Sequence, residues 1–260
     1  MQNDMTKDPF THQVIALAMQ THPALGPGLH EDCYHRELHE RLTRTGIEHL
    51  FKPRHELIYR GFVADIFEAD VVFEERLVAE LKVVRGSFAP EHFTQLLSYN
   101  KFWRTRTGML FAFDKASLMQ KRVVYDSRTA TMPETSMPSF VSNPSLANQL
   151  RDIASQCLRD IGLGYRESTW IGLMTAALRA EGIPFVVNPV TTIPSCGDTT
   201  LRCLVINGQC AITITALGHE ITATDRAKAQ TCLRWLGLPW GLAFHFGKEA
   251  VDLKFVSAPR

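Results

Sequence analysis

No stretch of the chain stays apolar for anything near the roughly 18 positions that a membrane-crossing helix needs. The opening MQNDMTKDPF has neither the basic nor the apolar region of a signal peptide, so a soluble cytoplasmic protein is expected. Cysteines are few and unpaired in pattern. The six (Cys33, Cys157, Cys196, Cys203, Cys210 and Cys232) contain no C-x-x-C, which argues against a zinc ribbon or a disulfide framework and for small buried thiols. Neither sign of charge is in excess: 28 Lys+Arg face 27 Asp+Glu, and within residues 1–130 the balance is 17 against 17. Bulk charge therefore gives no support to nucleic-acid binding, and any such role must rest on local sites. At 45% hydrophobic and 21% charged the composition is that of folded protein, and 260 residues suit two domains of ordinary size.

An internal repeat organises the chain. Gly28 to Pro53 (GLHEDCYHRELHERLTRTGIEHLFKP) lies without a gap over Gly164 to Pro189 (GYRESTWIGLMTAALRAEGIPFVVNP), matching Gly28 with Gly164, Glu31 with Glu167 and Gly46 with Gly182, and placing Tyr34 over Trp170. Farther on, Asp70 to Lys82 lies over Cys203 to Thr215, Gln95 over Gln230, and GMLFAFDK (Gly108 to Lys115) over GLAFHFGK (Gly241 to Lys248). Between the copies, Arg128 to Ser145 has three prolines and no hydrophobic period, which is linker composition. The expected organisation is a first domain over 1–127, a linker over 128–145 and a second domain over 146–260.

In the first copy the periodicity predicts helices over Pro9 to Thr21 and Leu29 to Thr45, strands over His55 to Arg60, Ile66 to Phe73 and Leu77 to Val84, a helix over Pro90 to Arg104 and a strand over Gly108 to Phe113. That order suits a mixed sheet flanked by helices. Asp70 to Lys82 reads as a hairpin turning at Glu74 to Arg76. If Phe73 pairs with Leu77, Asp70 falls opposite Glu80. Asp70, Val72, Val78, Glu80 and Lys82 then share one face, and Val71, Phe73, Leu77, Ala79 and Leu81 form an apolar face that fixes the register.

Two carboxylates about 5 Å apart repel by roughly 3 kcal/mol at an effective dielectric of 20. A hard divalent cation, Mg²⁺ or Mn²⁺, offsets that repulsion, since it takes oxygen ligands from one or two carboxylates and from phosphate. Lys82, two residues beyond Glu80 on the same face, is placed to orient an attacking water and to offset charge in phosphodiester hydrolysis. Taken alone, D-x9-E-x-K fits a solvated charged face better.

The wider context of these residues resembles the GxxExxY family of PD-(D/E)XK nuclease-like proteins. Gly28, Glu31 and Tyr34 carry the name motif, Tyr59-Arg60-Gly61 precedes the strand of Asp70, Ala79 to Lys82 supplies E-x-K, and Gln95 with Tyr99 supplies the helical Q-x-x-x-Y, together covering roughly residues 8 to 126. The resemblance implies Asp70 and Glu80 as metal ligands, Lys82 as the catalytic lysine, Glu31 approaching from the motif helix and Gln95 orienting water or phosphate. The second copy has Cys203, Thr213 and Thr215 in place of Asp70, Glu80 and Lys82, which cannot hold a hard cation, so that copy is expected to be inert.

Arg85, Lys101, Arg104 and Arg106 are candidates for a phosphate track, against the alternative that cations at a helix C-terminus answer its macrodipole. His30, Cys33, His35 and His39 resemble a zinc cluster in spacing only, because Cys33 points elsewhere on its helix; they read better as polar helix residues near a site. His92 is a weaker acid–base candidate, and Phe102 and Trp103 read as core. The whole implies an α/β protein of two tandem PD-(D/E)XK-like domains, the first a Mg²⁺- or Mn²⁺-dependent nuclease acting on nucleic acid, with DNA the expected form. The second would be a degenerate partner, in a homodimer or in a pseudo-dimer within the chain. The competing class is a non-catalytic module of the same fold that binds nucleic acid or a protein.

Overall fold

The computed structural model describes residues 8–126, 128–218 and 220–259. By its internal contacts the chain divides into two compact units, residues 1–55 with 67–126 and residues 56–66 with 127–260.

In the first unit, α1 (Pro9–Leu25) starts on an Asp8 cap whose carboxylate accepts from the Phe10 and Thr11 amides, with Pro9 where a missing N–H costs nothing. The turn to α2 (Glu31–Arg44) needs a left-handed residue, and Gly28 supplies it at φ 90°. Tyr34 then locks the turn from within. Its buried ring stacks on Phe113 at 4.7 Å, while its hydroxyl donates to Gly26 O (2.7 Å) and accepts from Leu29 N (3.2 Å). Tyr34 is thus a structural residue that fixes where Glu31 begins its helix.

The sheet of this unit runs β1 (Leu50–Phe51), β4 (Val71–Phe73), β5 (Leu77–Lys82), β6 (Thr107–Ala112), β7 (Met119–Val124), with β5 and β6 parallel and the other neighbours antiparallel. Phe73 pairs with Leu77 and Val71 with Ala79, the predicted register. Val71, Phe73, Leu77, Ala79 and Leu81 pack with Val14, Leu17, Tyr34, Leu38 and Leu42 of the first two helices. The opposite face is covered by α3 (Pro90–Phe102), which packs on β5, β6 and β7. Both faces of the hairpin are therefore closed, and a half-exposed charged face is ruled out.

The expected strand Ile66 to Phe73 is broken in two. Its first part belongs to β3 (Phe62–Glu68), which pairs with β2 (Arg54–Tyr59), and its second part is β4. At the break Asp70 O accepts from Lys52 N (2.9 Å), and the Asp70 carboxylate takes the Leu81 amide (2.7 Å), so a side chain replaces a ladder bond there.

The tip of the β2–β3 hairpin, residues 56–66, makes its contacts in the second unit. Tyr59 donates to Asp160 (2.7 Å), Arg60 pairs with Glu181 (2.9 Å), and Asp65 accepts from Arg166 (3.1 Å) and Thr169. A Cβ on Gly172 would stand 1.7 Å from Ala64 O, so this helix surface admits the hairpin backbone only as glycine.

The rest of the second unit runs α4 (Pro144–Ile161), α5 (Glu167–Ala180), β8 (Phe185–Val187), β9 (Val190–Ile193), β10 (Gly197–Thr200), β11 (Leu204–Ile206), β12 (Cys210–Ala216), α6 (Ala223–Leu236), β13 (Trp240–Phe246) and β14 (Val251–Ser257). Its sheet order is β8-β11-β12-β13-β14, with β12 and β13 parallel and the rest antiparallel, the same sequence of pairings as in the first unit. All six cysteines are free thiols. Cys157, Cys203, Cys210 and Cys232 are buried as expected, whereas Cys33 and Cys196 are exposed, Cys33 because it lies on the outer side of α2.

Candidate active site

The C-terminal end of β5 collects the predicted groups. Glu80 is 2% exposed, and its Oε1 accepts from Lys82 Nζ at 2.6 Å. Its Oε2 is buried with no hydrogen-bond partner among the described residues. Asp70 comes from the adjacent strand end, anchored through Oδ2 to the Leu81 amide. Glu31, at the first position of α2, accepts the Val83 amide on Oε2 (3.2 Å), which brings a third carboxylate to the place where β5 ends. Gln95 is one turn along α3. Its amide donates to the Tyr99 hydroxyl (2.9 Å), which donates in turn to Glu68 O (2.7 Å), tying α3 to the segment just before Asp70.

The electrostatics follow from this enclosure. Burial first, and the neighbouring Asp70 charge second, push Glu80 up to about 8, against the pull of Lys82. Burial works against the Lys82 ammonium, but Glu80, Asp70 and Glu31 outweigh it and raise Lys82 above its ordinary value. Lys82 therefore stays charged at neutral pH. His92, near Lys82, is lowered by burial and by that ammonium, and its Nδ1 serves as a cap for the Ala89 amide (3.2 Å).

A buried carboxylate oxygen without a partner is costly, and a hard cation is the natural complement. Asp70 and Glu80 fit a Mg²⁺ or Mn²⁺ ion that keeps water and phosphate as its other ligands. Among the described residues no group of three or more His, Cys, Asp or Glu side chains is placed to hold a metal ion.

His35, read from the sequence only as a polar helix residue near a site, stands among the carboxylates themselves. His35 is buried, its Nε2 3.3 Å from Asp70 Oδ1 and 3.9 Å from Glu31 Oε1, its Nδ1 3.6 Å from Asp32 Oδ1, yet none of these approaches has hydrogen-bond geometry. The signal was present, since His35 is four residues after Glu31 and shares its helix face. His39 instead faces His49 (2.8 Å) and His30 caps α2, so the histidines and Cys33 do not converge on a zinc site.

The basic candidates scatter. Arg85 lies three residues past Lys82 and pairs with Asp114 (3.1 Å). Lys101, Arg104 and Arg106 stand where α3 ends and β6 begins. Thr107 there pairs with Leu77, so they lie at the far end of β5, about 16 Å from Lys82 at the usual rise per strand residue. Lys101 is half-buried and lowered by burial, and Arg106 pairs with Asp126 (3.0 Å). Phe102 and Trp103 pack against Phe67. A cavity of about 780 Å³, lined among others by Phe10, His49, Phe73 and Arg76, also lies at the hairpin turn and away from Asp70 and Glu80. It holds no chemistry matched to its size.

No helix among the described residues is long and apolar enough to cross a membrane. No curated protein matches the chain. One solved structure, described as the crystal structure of SSO0001, is similar at 17% identity with a TM-score of 0.28, covering 36% of this chain and 50% of that one, so the chain spans half the length of that protein. Residues 8–123, which hold Glu31, Asp70, Glu80, Lys82 and Gln95, match the family model of the PD-(D/E)XK nuclease superfamily.

Proposed function

We propose that the first unit is a cytoplasmic, Mg²⁺- or Mn²⁺-dependent nuclease of the GxxExxY type that hydrolyses phosphodiester bonds of DNA. The observation that carries this reading is the buried Glu80 carboxylate next to the part-buried Asp70, with Glu80 Oε2 unpartnered among the described residues beside an ammonium. A cation held there would supply Lewis-acid polarisation of the phosphate and neutralise charge developing on it. The chain's own groups do the rest. The Asp70–Leu81 hydrogen bond holds the two carboxylates in one register, and Lys82, charged and aimed along the same face, orients the water that attacks phosphorus as the P–O ester bond breaks. A lysine raised in this way is a poor base, so its work is orientation and charge, with the proton of the attacking water leaving to solvent or phosphate. Gln95 is assigned to the substrate phosphate and Glu31 to fixing the end of β5. Arg85 is assigned to the strand next to the scissile bond, and Lys101, Arg104 and Arg106 to phosphates farther along.

The repeated order of elements and pairings supports a tandem duplication, the second unit standing in for the second subunit of a dimer. There the Asp70 and Glu80 places hold Cys203 and Thr213, opposite each other across β11 and β12, so no metal chemistry follows.

The test is a cleavage screen over single- and double-stranded DNA and RNA with Mg²⁺, Mn²⁺ or EDTA, using the wild type and Asp70→Ala. Metal-dependent DNA cleavage lost in the variant is expected. No cleavage of any substrate, with no metal uptake, would make the unit a non-catalytic binding module.

A further inference from the structure

The second unit keeps a cavity at the place of the lost site, and its charge has been rebuilt. Strand register fixes the equivalences. Glu80 pairs with Leu110 and Lys82 with Ala112, as Thr213 pairs with Ala243 and Thr215 with His245. From Lys82 to Thr107 and from Thr215 to Trp240 the chain length is the same, so Gln95, thirteen residues after Lys82, corresponds to Lys228, thirteen after Thr215, and not to Gln230. By the same count Arg202 replaces Ala69.

The cavity holds about 390 Å³ and is lined among others by Glu167, Arg202, Thr213, Thr215, Lys228 and Thr231; a smaller one of about 170 Å³ adjoins it, sharing Glu167 and Arg202. In the first unit the corresponding groups Glu31, Asp70, Glu80 and Lys82 leave a formal excess of two negative charges, which repels phosphate unless a cation is added. Here Arg202 and Lys228 balance Glu167 and Asp225. The Asp225 carboxylate is already engaged as a helix cap, accepting from Thr222 N (3.0 Å) and Thr222 Oγ1 (2.7 Å). Burial raises Glu167 against the influence of Arg202 and Lys228, yet among the described residues neither cation closes a salt bridge or a hydrogen bond. Two cations that close no salt bridge or hydrogen bond among the described residues thus border one cavity together with the Thr213 hydroxyl, while Thr231 Oγ1 donates to Ala227 O (2.9 Å) and Thr215 Oγ1 is bonded to His245 Nδ1 (2.8 Å); such cations facing a hydroxyl are the chemistry of a phosphate site and need no metal.

We infer that the second unit binds a phosphate group in this cavity without metal, through Arg202, Lys228 and the hydroxyl of Thr213, the phosphate belonging to a polynucleotide strand or to a small phosphate compound. The inference rests on the nuclease reading only for its choice of a strand as probe. In the full chain with EDTA present, fluorescence anisotropy of a labelled single-stranded 20-mer is measured from 50 to 200 mM salt, alongside calorimetric titration with inorganic phosphate. Lys228→Gln with Arg202→Gln is expected to weaken binding of the strand at least about tenfold and to flatten the salt dependence by about one to two phosphate contacts. Lys228→Arg should keep most of the affinity, and Arg226→Gln, on the same helix but away from the cavity, should change little. Loss of inorganic-phosphate binding alone in the double variant would assign the site to a small phosphate compound. Binding of both probes unchanged in the double variant, or absent in the wild type, overturns the inference. Cleavage by the first unit reads Asp70 in the presence of metal, so the two readings fail separately.

Discussion

Replacing Glu80 by Gln removes one buried charge while keeping the shape of the side chain, and the structure says what that does to stability. A carboxyl raised by its folded environment contributes stability that is complete below its unfolded value of 4.5 and is lost as pH rises through its folded value of about 8. Linkage over that interval amounts to at most about 5 kcal/mol. The substitution also leaves Lys82 Nζ, now 2.6 Å from Oε1, a neutral amide acceptor in place of a carboxylate, a loss of about 1 kcal/mol. The metal-free variant should therefore be slightly less stable than wild type near pH 5 and about 1–3 kcal/mol more stable near pH 8.5. Urea unfolding in EDTA across that range, with hydrogen exchange at the β4–β5 amides to isolate the first unit, reads the difference. Added Mg²⁺ should stabilise the wild type increasingly with pH and leave the variant unmoved. A gap between the two proteins that does not widen as pH rises would refute the reasoning, because Glu80 would then be a carboxylate at ease in its site.

Lys82→Ala should lower turnover by about 10²–10³-fold while retaining metal-induced stabilisation, as expected of a group that acts on the transition state; loss of metal affinity in calorimetry would make Lys82 a counter-ion. Gly172→Val should cost about 2–4 kcal/mol and free the β2–β3 tip for proteolysis near Arg60, because the new side chain would overlap Ala64 O; an unchanged melting curve would show that the tip does not dock there. Substituting Cys203, Thr213 and Thr215 together with Ala should leave kcat of the first unit within about twofold, since these positions hold no carboxylate or ammonium; a large loss of kcat with folding intact would reveal an active site where we read an inert one.

The hairpin register and the carboxylate pair were legible because strand alternation is local. One wholly apolar face admits one pairing, and that pairing set Asp70 opposite Glu80 without reference to the rest of the fold. What escaped depended on distant partners. β1 is two residues long and β7 reads MQKRVV, so neither carries the apolar run that announces a strand, and both exist through the neighbours they pair with. The break at Ala69–Asp70 escaped for the same reason, since only the change of pairing from β2 to β1 and β5 creates it. Burial was equally invisible. The sequence cannot show that α3 closes the charged face, and that closure turns Glu80 from a solvated residue into a strained one.

The assignment of Gln230 failed in an instructive way. Matching by residue identity rewarded a glutamine two positions too far along α6, whereas the equal chain length between the two parallel strands places a lysine there. Identity is a guide only where function holds a residue in place, and under the proposed duplication a unit without the carboxylates has nothing to hold the glutamine. Geometry persists longer, because the parallel pairing of β12 with β13 and the packing of α6 on them still serve folding. Under that proposal a position without a catalytic role but facing a cavity can carry a charge at little cost to the fold, as Lys228 and Arg202 do.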